Sequence, residues 1–284
     1  MKKVLITGCS KGIGLETALA FARGGYKVFA TMRNPEKAPA LARQAESESQ
    51  DIVIRTMDVD FDDSVQKCTS KILEEEGFVD VLVNNAGIER HGSVEEMDMA
   101  DFEAIMNTNY LGALRCAKAF LPQMRVNRKG CIINIASVAG RIANSPLGAY
   151  AASKHALEAI SEALAQEVKP FNIKVAIVEP GIINTQMAQD ITVEAASIYP
   201  NSKRQAALFS AALKTPTPPT LVADKILEVA ESDSWTLRYP VGPDAAPFIA
   251  WRSSMTDEQW VDRSAVSDEE WYASVERDFG MKLQ

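Results

Sequence analysis

The chain is 284 residues long, enough for one large α/β domain or two small ones. Its 46% hydrophobic and 24% charged content excludes disordered and fibrous architectures, and 38 acidic against 30 basic residues, a formal charge of -8, argues against nucleic acid as a partner. No apolar run reaches the roughly 18 residues of a membrane-spanning helix. The run after Lys2 and Lys3 ends at Thr7, too soon for a signal peptide. The four cysteines, Cys9, Cys68, Cys116 and Cys131, have neither metal-site nor disulfide-framework spacing, so a cytoplasmic protein without a metal or a membrane partner is expected.

In chain order, short β-rich apolar runs alternate with longer segments of helical period. Strands are expected over residues 3–7, 27–32, 52–57, 79–83, 130–136 and 173–178, with a seventh over 236–239; helices are expected over 13–23, 37–48, 64–76, 99–126, 149–168 and 221–231. Strict alternation builds a parallel sheet wrapped by helices, here a single doubly wound α/β domain over residues 1–240 with a seven-stranded parallel sheet.

Two regions depart from the alternation. Residues 182–219 loosen into an excursion with apolar positions Met187, Ile191, Ile198, Tyr199, Leu208 and Phe209, closed by Thr215-Pro216-Thr217-Pro218-Pro219. A long excursion inside a compact domain reads as a substrate lid. Residues 241–284, with nine acidic and four basic residues, contain an echo: Thr256-Asp257-Glu258-Gln259-Trp260 is followed by Ser267-Asp268-Glu269-Glu270-Trp271. Each copy fits a capping box, a hydroxyl at the N-cap and Glu or Gln three residues on, with acids set against the helix dipole. The expectation is a helical C-terminal extension packed on the same domain, its two short helices each pinned by one Trp. A share in the pocket or in a subunit contact is the alternative.

Three elements carry chemistry. Thr7-Gly8-Cys9-Ser10-Lys11-Gly12-Ile13-Gly14 joins the first strand to the first helix, where glycines permit a tight turn and let a pyrophosphate meet the helix N-terminus. No Gly-Lys-Ser or Gly-Lys-Thr follows, which excludes a triphosphatase loop. Asn84-Asn85-Ala86-Gly87 ends the fourth strand, on the edge where open α/β sheets bind ligands. Ser137 ends the fifth strand, and Tyr150 and Lys154 share one face of the next helix. A tyrosine with a pKa of about 10 is a poor acid or base at neutral pH, and a neighbouring ammonium is expected to lower that pKa. Of the two histidines, His155 is expected to turn away from the pocket, and Glu89, Arg90 and His91 to form a solvated loop, with a border on the substrate as the alternative.

Together these elements resemble the short-chain dehydrogenase/reductase family, a Rossmann-type fold, in its hydroxysteroid and retinol dehydrogenase-like branch. The resemblance runs from Val4 to about Tyr239 and includes Pro180-Gly181 with Thr185 four residues on. It implies Tyr150 as general acid/base, Ser137 as holder of the substrate oxygen, Lys154 as ribose ligand and modulator of Tyr150, and Asn109 as support of a water-mediated proton relay. It implies cofactor contacts at Gly8, Ser10, Lys11, Gly12, Ile13, Gly14, Arg33, Asp58, Val59, Asn85, Ala86, Gly87, Pro180, Gly181, Ile182 and Thr185. Arg33 falls where the family's phosphate-binding arginine sits and Lys11 faces the same space; with no acid beside them, they favour NADP(H) over NAD(H). Val138, Ala139, Ile142, Leu147 and Met187 are expected to line an apolar substrate pocket. The implied activity is interconversion of a ketone and a secondary alcohol by a homodimer or homotetramer. The alternatives are a non-catalytic dinucleotide sensor and a sugar-nucleotide epimerase or dehydratase. The complete Asn109, Ser137, Tyr150 and Lys154 set opposes the first, and the glycine turn and chain length oppose the second.

Overall fold

The computed structural model describes residues 1–192 and 196–283. Seven parallel strands, β1 (Lys3–Thr7), β2 (Lys27–Met32), β3 (Ile52–Thr56), β4 (Val81–Asn84), β5 (Gly130–Ile135), β6 (Ile173–Pro180) and β7 (Arg238–Val241), form one sheet in the order β3-β2-β1-β4-β5-β6-β7. Val4 of β1 pairs with Val28 on one side and Val81 on the other, so the winding reverses between β1 and β4. In open α/β sheets such a reversal leaves a crevice beyond the carboxyl ends of the strands.

Successive strand residues point to opposite faces, and each face buries a separate layer. On one face α1 (Gly12–Arg23) and α9 (Pro219–Glu231) pack Leu19, Phe21, Val222 and Ile226 against Val4, Ile6, Val83 and Val178. On the other, α3 (Asp62–Glu76), α5 (Gly112–Asn127) and α6 (Gly148–Val168) pack Ile72, Phe120, Met124 and Leu164 against Leu5, Phe29, Leu82 and Ile132. Between β2 and β3 the expected helix over 37–48 is a 3-10 turn at Pro35–Lys37 followed by the shorter α2 (Ala40–Ser47), with Pro39 at its N-cap.

Several element ends are corrected. The fourth strand begins at Val81 rather than 79, because only Val81–Asn84 reach ladder partners on β1 and β5. The sixth runs on to Pro180 and the seventh sits two residues later than expected, since their pairing extends to Pro180 with Val241. The long helix expected over 99–126 is interrupted: α4 (Met99–Met106) passes through a π-turn, Asn107–Leu111, into α5. One inserted residue shifts the helical phase, a feature frequent at functional sites.

The excursion holds α7 (Gln186–Ile191) and α8 (Asn201–Ala212); part of it, residues 193–195, lies outside the described residues. It is fastened to the loop after β4, where Glu96 accepts from Ser197 Oγ at 2.8 Å and from Ile198 N at 3.0 Å, and Tyr199 donates to Glu95. The tail forms α10 (Ala245–Ser253), α11 (Asp257–Asp262) and α12 (Asp268–Phe279). The first capping box is complete at Thr256 and Gln259. The second keeps only half of its pair: Ser267 Oγ accepts from Glu270 N, with no reciprocal bond from the Glu270 side chain among the described residues. No helix among the described residues is long and apolar enough to cross a membrane.

Candidate active site

A cavity of about 1010 Å³ opens at the carboxyl edge of the sheet and runs from the glycine turn to the tail helices. The turn is shaped by close backbone approaches. Gly8 has φ +73° and a β-carbon there would meet Ala86 Cα at 2.8 Å; Gly12 has φ +61°. Thr7 Oγ1 accepts from Asn85 N at 3.0 Å and Ala86 N at 2.9 Å, while Asn85 Nδ2 donates to Thr7 O at 2.9 Å and Gly8 O at 3.1 Å. The two turns that looked separate in sequence are therefore one stitched unit. The Asn85 amide nitrogen holds this framework rather than reaching into the cavity.

Lys11 is the N-cap of α1 without a side-chain capping bond, so the first backbone N–H groups of the helix are left to whatever fills the crevice. Lys11 and Arg33 line the same end of the cavity, and among the described residues neither forms an ion pair. Asp58 and Val59 form the rim beyond β3. There Asp58 Oδ1 accepts from Asp60 N at 3.2 Å, and Asp60 Oδ1 in turn accepts from Thr108 Oγ1 at 2.7 Å. These features fit a dinucleotide, with open N–H groups for its pyrophosphate.

Ser137, Tyr150 and Lys154 meet in the middle of the cavity. Ser137 Oγ accepts from Ala139 N at 3.1 Å, which fixes its rotamer as the cap of the 3-10 turn Val138–Gly140. Lys154 Nζ donates to Ile135 O at 2.7 Å and lies 5.6 Å from the centre of the Tyr150 ring. Burial dominates the electrostatics. It raises the Tyr150 phenol to about 12, against a hydrogen bond from Ser137 that lowers it, and Glu89 raises it further. Burial also pulls the Lys154 ammonium down to about 8, with Glu158 opposing. This corrects the expectation of a phenol lowered by Lys154, because the cost of burying a phenolate outweighs the Ser137 hydrogen bond that favours it.

Asn109 sits behind the cavity wall. The π-turn directs its side chain into the core, where Oδ1 accepts from Ile88 N at 2.8 Å and Nδ2 donates to Ile88 O at 2.9 Å and to Ser153 Oγ at 3.0 Å. Ser153 Oγ in turn donates to Tyr150 O at 2.7 Å. Asn109 thus ties the segment after β4 to the helix that carries Tyr150.

Pro180, Gly181, Ile182 and Thr185 line the cavity, as do Val138, Ala139, Ile142, Leu147 and Met187, and Ile142 and Ile182 pack with Phe248 of the tail. Of the excursion's apolar positions, Ile191, Leu208 and Phe209 join them, whereas Ile198 is exposed because the chain is pinned outward on Glu96. Glu89, Arg90 and His91 also line the cavity, the alternative reading of this loop; Glu89 and His91 are part-buried behind the Asn109 bond to Ile88, while Arg90 stays exposed. His155 is exposed and bonds within its own helix, Nδ1 to Ala151 O at 2.9 Å.

The tail shares in the wall, the alternative reading of its two short helices. Phe248, Trp251, Trp260 and Trp271 close the far end, with Trp251 packed edge-on to Trp260 at 5.2 Å and Trp260 Nε1 donating to Ala143 O at 3.0 Å. Arg204 of α8 locks this wall by donating to Asp268 at 2.7 Å and Val266 O at 2.6 Å. The repeated Trp one turn into each short helix was the available signal. Among the described residues no cluster of His, Cys, Asp and Glu fits a metal ion.

Known proteins resemble this chain in sequence and fold. The family model for short chain dehydrogenase matches residues 2–196. Human retinol dehydrogenase 8 (Homo sapiens) is 43% identical over 189 residues, 65% of this chain and 60% of that protein, so the match spans less than two thirds of the relative. A short-chain dehydrogenase from Streptomyces avermitilis superposes with a TM-score of 0.78 at 31% identity, covering 92% of this chain and 97% of that one. ElxO, solved with NADP bound, superposes with a TM-score of 0.73 at 31% identity, covering 86% of this chain and 98% of its own. The family model covers more than half of the chain, and the chain belongs to the short-chain dehydrogenase/reductase family.

Proposed function

We propose that the protein is an NADP(H)-dependent oxidoreductase that interconverts a ketone and a secondary alcohol on a bulky, largely apolar substrate. The observation that supports it best is the meeting of Ser137, Tyr150 and Lys154 midway along one cavity, between the glycine turn and an aromatic far wall. A bound nicotinamide dinucleotide supplies or accepts the hydride. The chain's own residues do the rest. Gly8, Ser10, Gly12, Ile13 and Gly14 present the α1 N-terminus to the pyrophosphate, Arg33 and Lys11 hold the 2′-phosphate, and Asp58, Val59, Asn85, Ala86 and Gly87 flank the adenosine and ribose. Pro180, Gly181, Ile182 and Thr185 border the nicotinamide. Ser137 Oγ orients the substrate oxygen, and Tyr150 protonates it in reduction or takes its proton in oxidation. Lys154 binds the ribose and keeps positive charge beside the phenol, and Asn109 positions the Tyr150 helix.

NADP(H) is favoured because Arg33 directly follows β2, where an NAD-specific site carries a carboxylate, and Lys11 at the start of α1 lines the same cavity. The family resemblance further suggests a symmetric oligomer, which light scattering at micromolar concentration tests, and the four free cysteines fit a reducing cytoplasm.

The deciding experiment measures kcat/KM with NADPH and with NADH across ketones from short aliphatic to steroidal. Turnover of bulky apolar ketones with NADPH is expected. No ketone turnover, or polyols and free sugars as the best substrates, overturns the reading.

A further inference from the structure

One face of α8 looks into the cavity: Asn201, Arg204, Gln205, Leu208 and Phe209 recur at helical spacing and all line it. That face changes character along the helix. Leu208 and Phe209 extend the apolar wall, with Phe209 packed against Ile142, Ile182 and Phe248. One turn earlier stands Gln205, an amide only 5% exposed. An amide this buried normally has both ends bonded. Here Gln205 Oε1 accepts from Asn144 Nδ2 at 3.1 Å, which turns the Nε2 end of the amide the other way. Nε2 has no hydrogen-bond partner among the described residues, yet unlike Asn144 Oδ1 it is not sealed off from solvent. In a residue so buried that lines the cavity, the opening in front of Nε2 is the cavity itself.

Two fastenings locate this donor where α8 meets the tail. Asn144 directly follows Ala143, whose carbonyl holds Trp260. Arg204, the neighbour of Gln205, has each guanidinium nitrogen bonded to the tail, at Asp268, Ser264 O and Val266 O, and so has none to give a ligand.

We infer that Gln205 is a specificity-determining residue: its Nε2 donates to an oxygen acceptor, carbonyl or hydroxyl, that the substrate carries on its apolar frame apart from the reacting carbonyl. The substrate class is then a ketone with a second oxygen function at the tail side of the cavity. This rests on the proposed carbonyl chemistry and narrows it. A frame without that oxygen covers the amide and leaves its N–H groups unpaired, and sites with an unfilled polar group discriminate against such ligands.

The test uses a plain long-chain ketone and analogues with a second carbonyl at successive positions. Affinity is read from quenching of tryptophan emission with NADP⁺ present, so that bound ketone is not reduced; three tryptophans line the cavity. Turnover with NADPH is measured separately. For at least one position, the affinity ratio of diketone to plain ketone in wild type is expected to exceed that in Gln205→Leu about three- to tenfold. Gln205→Glu, as a carboxylate, still accepts from Asn144 but offers the ligand no donor, so its ratio is expected to fall with that of the Leu variant; it also decides the matter if the Leu variant does not fold. Equal ratios in wild type and Gln205→Leu at every position, or a wild-type ratio that survives in Gln205→Glu, overturn the inference. A Gln205-dependent gap without turnover of any of these ketones would overturn the proposed function and leave this recognition standing.

Discussion

Asp244 and Gly181 compete for one small volume. The Asp244 carboxylate occupies the space that a β-carbon on Gly181 would take, and its Oδ2 accepts from Ile182 N at 2.7 Å. The start of the tail thereby holds the segment proposed to border the nicotinamide. Gly181 has an ordinary backbone conformation, so the requirement for glycine is steric. Gly181→Ala is expected to destabilise by about 1–3 kcal/mol through overpacking. Asp244→Ala is expected to lose about 1–3 kcal/mol by leaving Ile182 N–H unpaired. In the double variant the removed carboxylate makes room, so its loss should fall short of the sum by about 1 kcal/mol or more. Denaturant melts of the four proteins measure this, and simple additivity would contradict it.

Tyr150→Phe removes the proton proposed to move and leaves the fold and the cofactor end intact. The rate constant is expected to fall by about 10² to 10⁴, with NADPH affinity unchanged in fluorescence titration. A variant keeping more than about a tenth of the turnover rules Tyr150 out as the acid/base.

Arg33→Ala combined with Lys11→Ala tests the cofactor end. Charge-assisted hydrogen bonds to a phosphate contribute about 1.5–3 kcal/mol each before solvent screening. The ratio of kcat/KM for NADPH over NADH is expected to drop at least about tenfold. A ratio that survives the double substitution places the selectivity in other residues.

Beneath the site, Glu158 of α6 is buried near Glu179 of β6, with Arg238 at 2.9 Å, Arg141 bonded to Glu179 at 3.2 Å, and Lys154 one turn away on α6. Burial first, and then the Glu179 charge, hold the Glu158 carboxyl above the usual carboxylate range. A carboxyl raised in the folded state keeps its proton where the unfolded chain has released it. Its contribution is therefore present at low pH and lost as pH rises through the folded value. Relative to Glu158→Gln, wild type is expected to lose stability between about pH 5 and about pH 8. Melting temperatures across that range check the sign, and a constant difference would refute it.

Trp260→Ala removes a hydrogen bond to Ala143 O and the ring packed on Trp251 at the far wall. KM for bulky ketones is expected to rise while NADPH affinity stays the same. Equal losses for cofactor and substrate would mean that the tail supports the whole fold rather than the substrate end.

The strand-and-helix alternation, the glycine turn and the spacing of Ser137, Tyr150 and Lys154 were legible because each is local: period, turn chemistry and helical phase are properties of neighbouring residues. The pairing of Arg33 with Lys11 at one end of the crevice came from the family resemblance. The rest depends on contacts far apart in sequence. Nothing near Asn109 announces a π-turn, which exists because the side chain is held by Ile88 and Ser153. Nothing near Glu89 announces its burial, and the capped helices at Thr256 and Ser267 show that helices form without showing what they cover. The pairing of Trp260 with Ala143, of Asp244 with Ile182 and of Arg204 with Asp268 brings the tail over the substrate end of the cavity. The direction of the Tyr150 shift was likewise decided by tertiary burial, because the cost of desolvating a charge depends on everything packed around it and not on the four-residue spacing to Lys154.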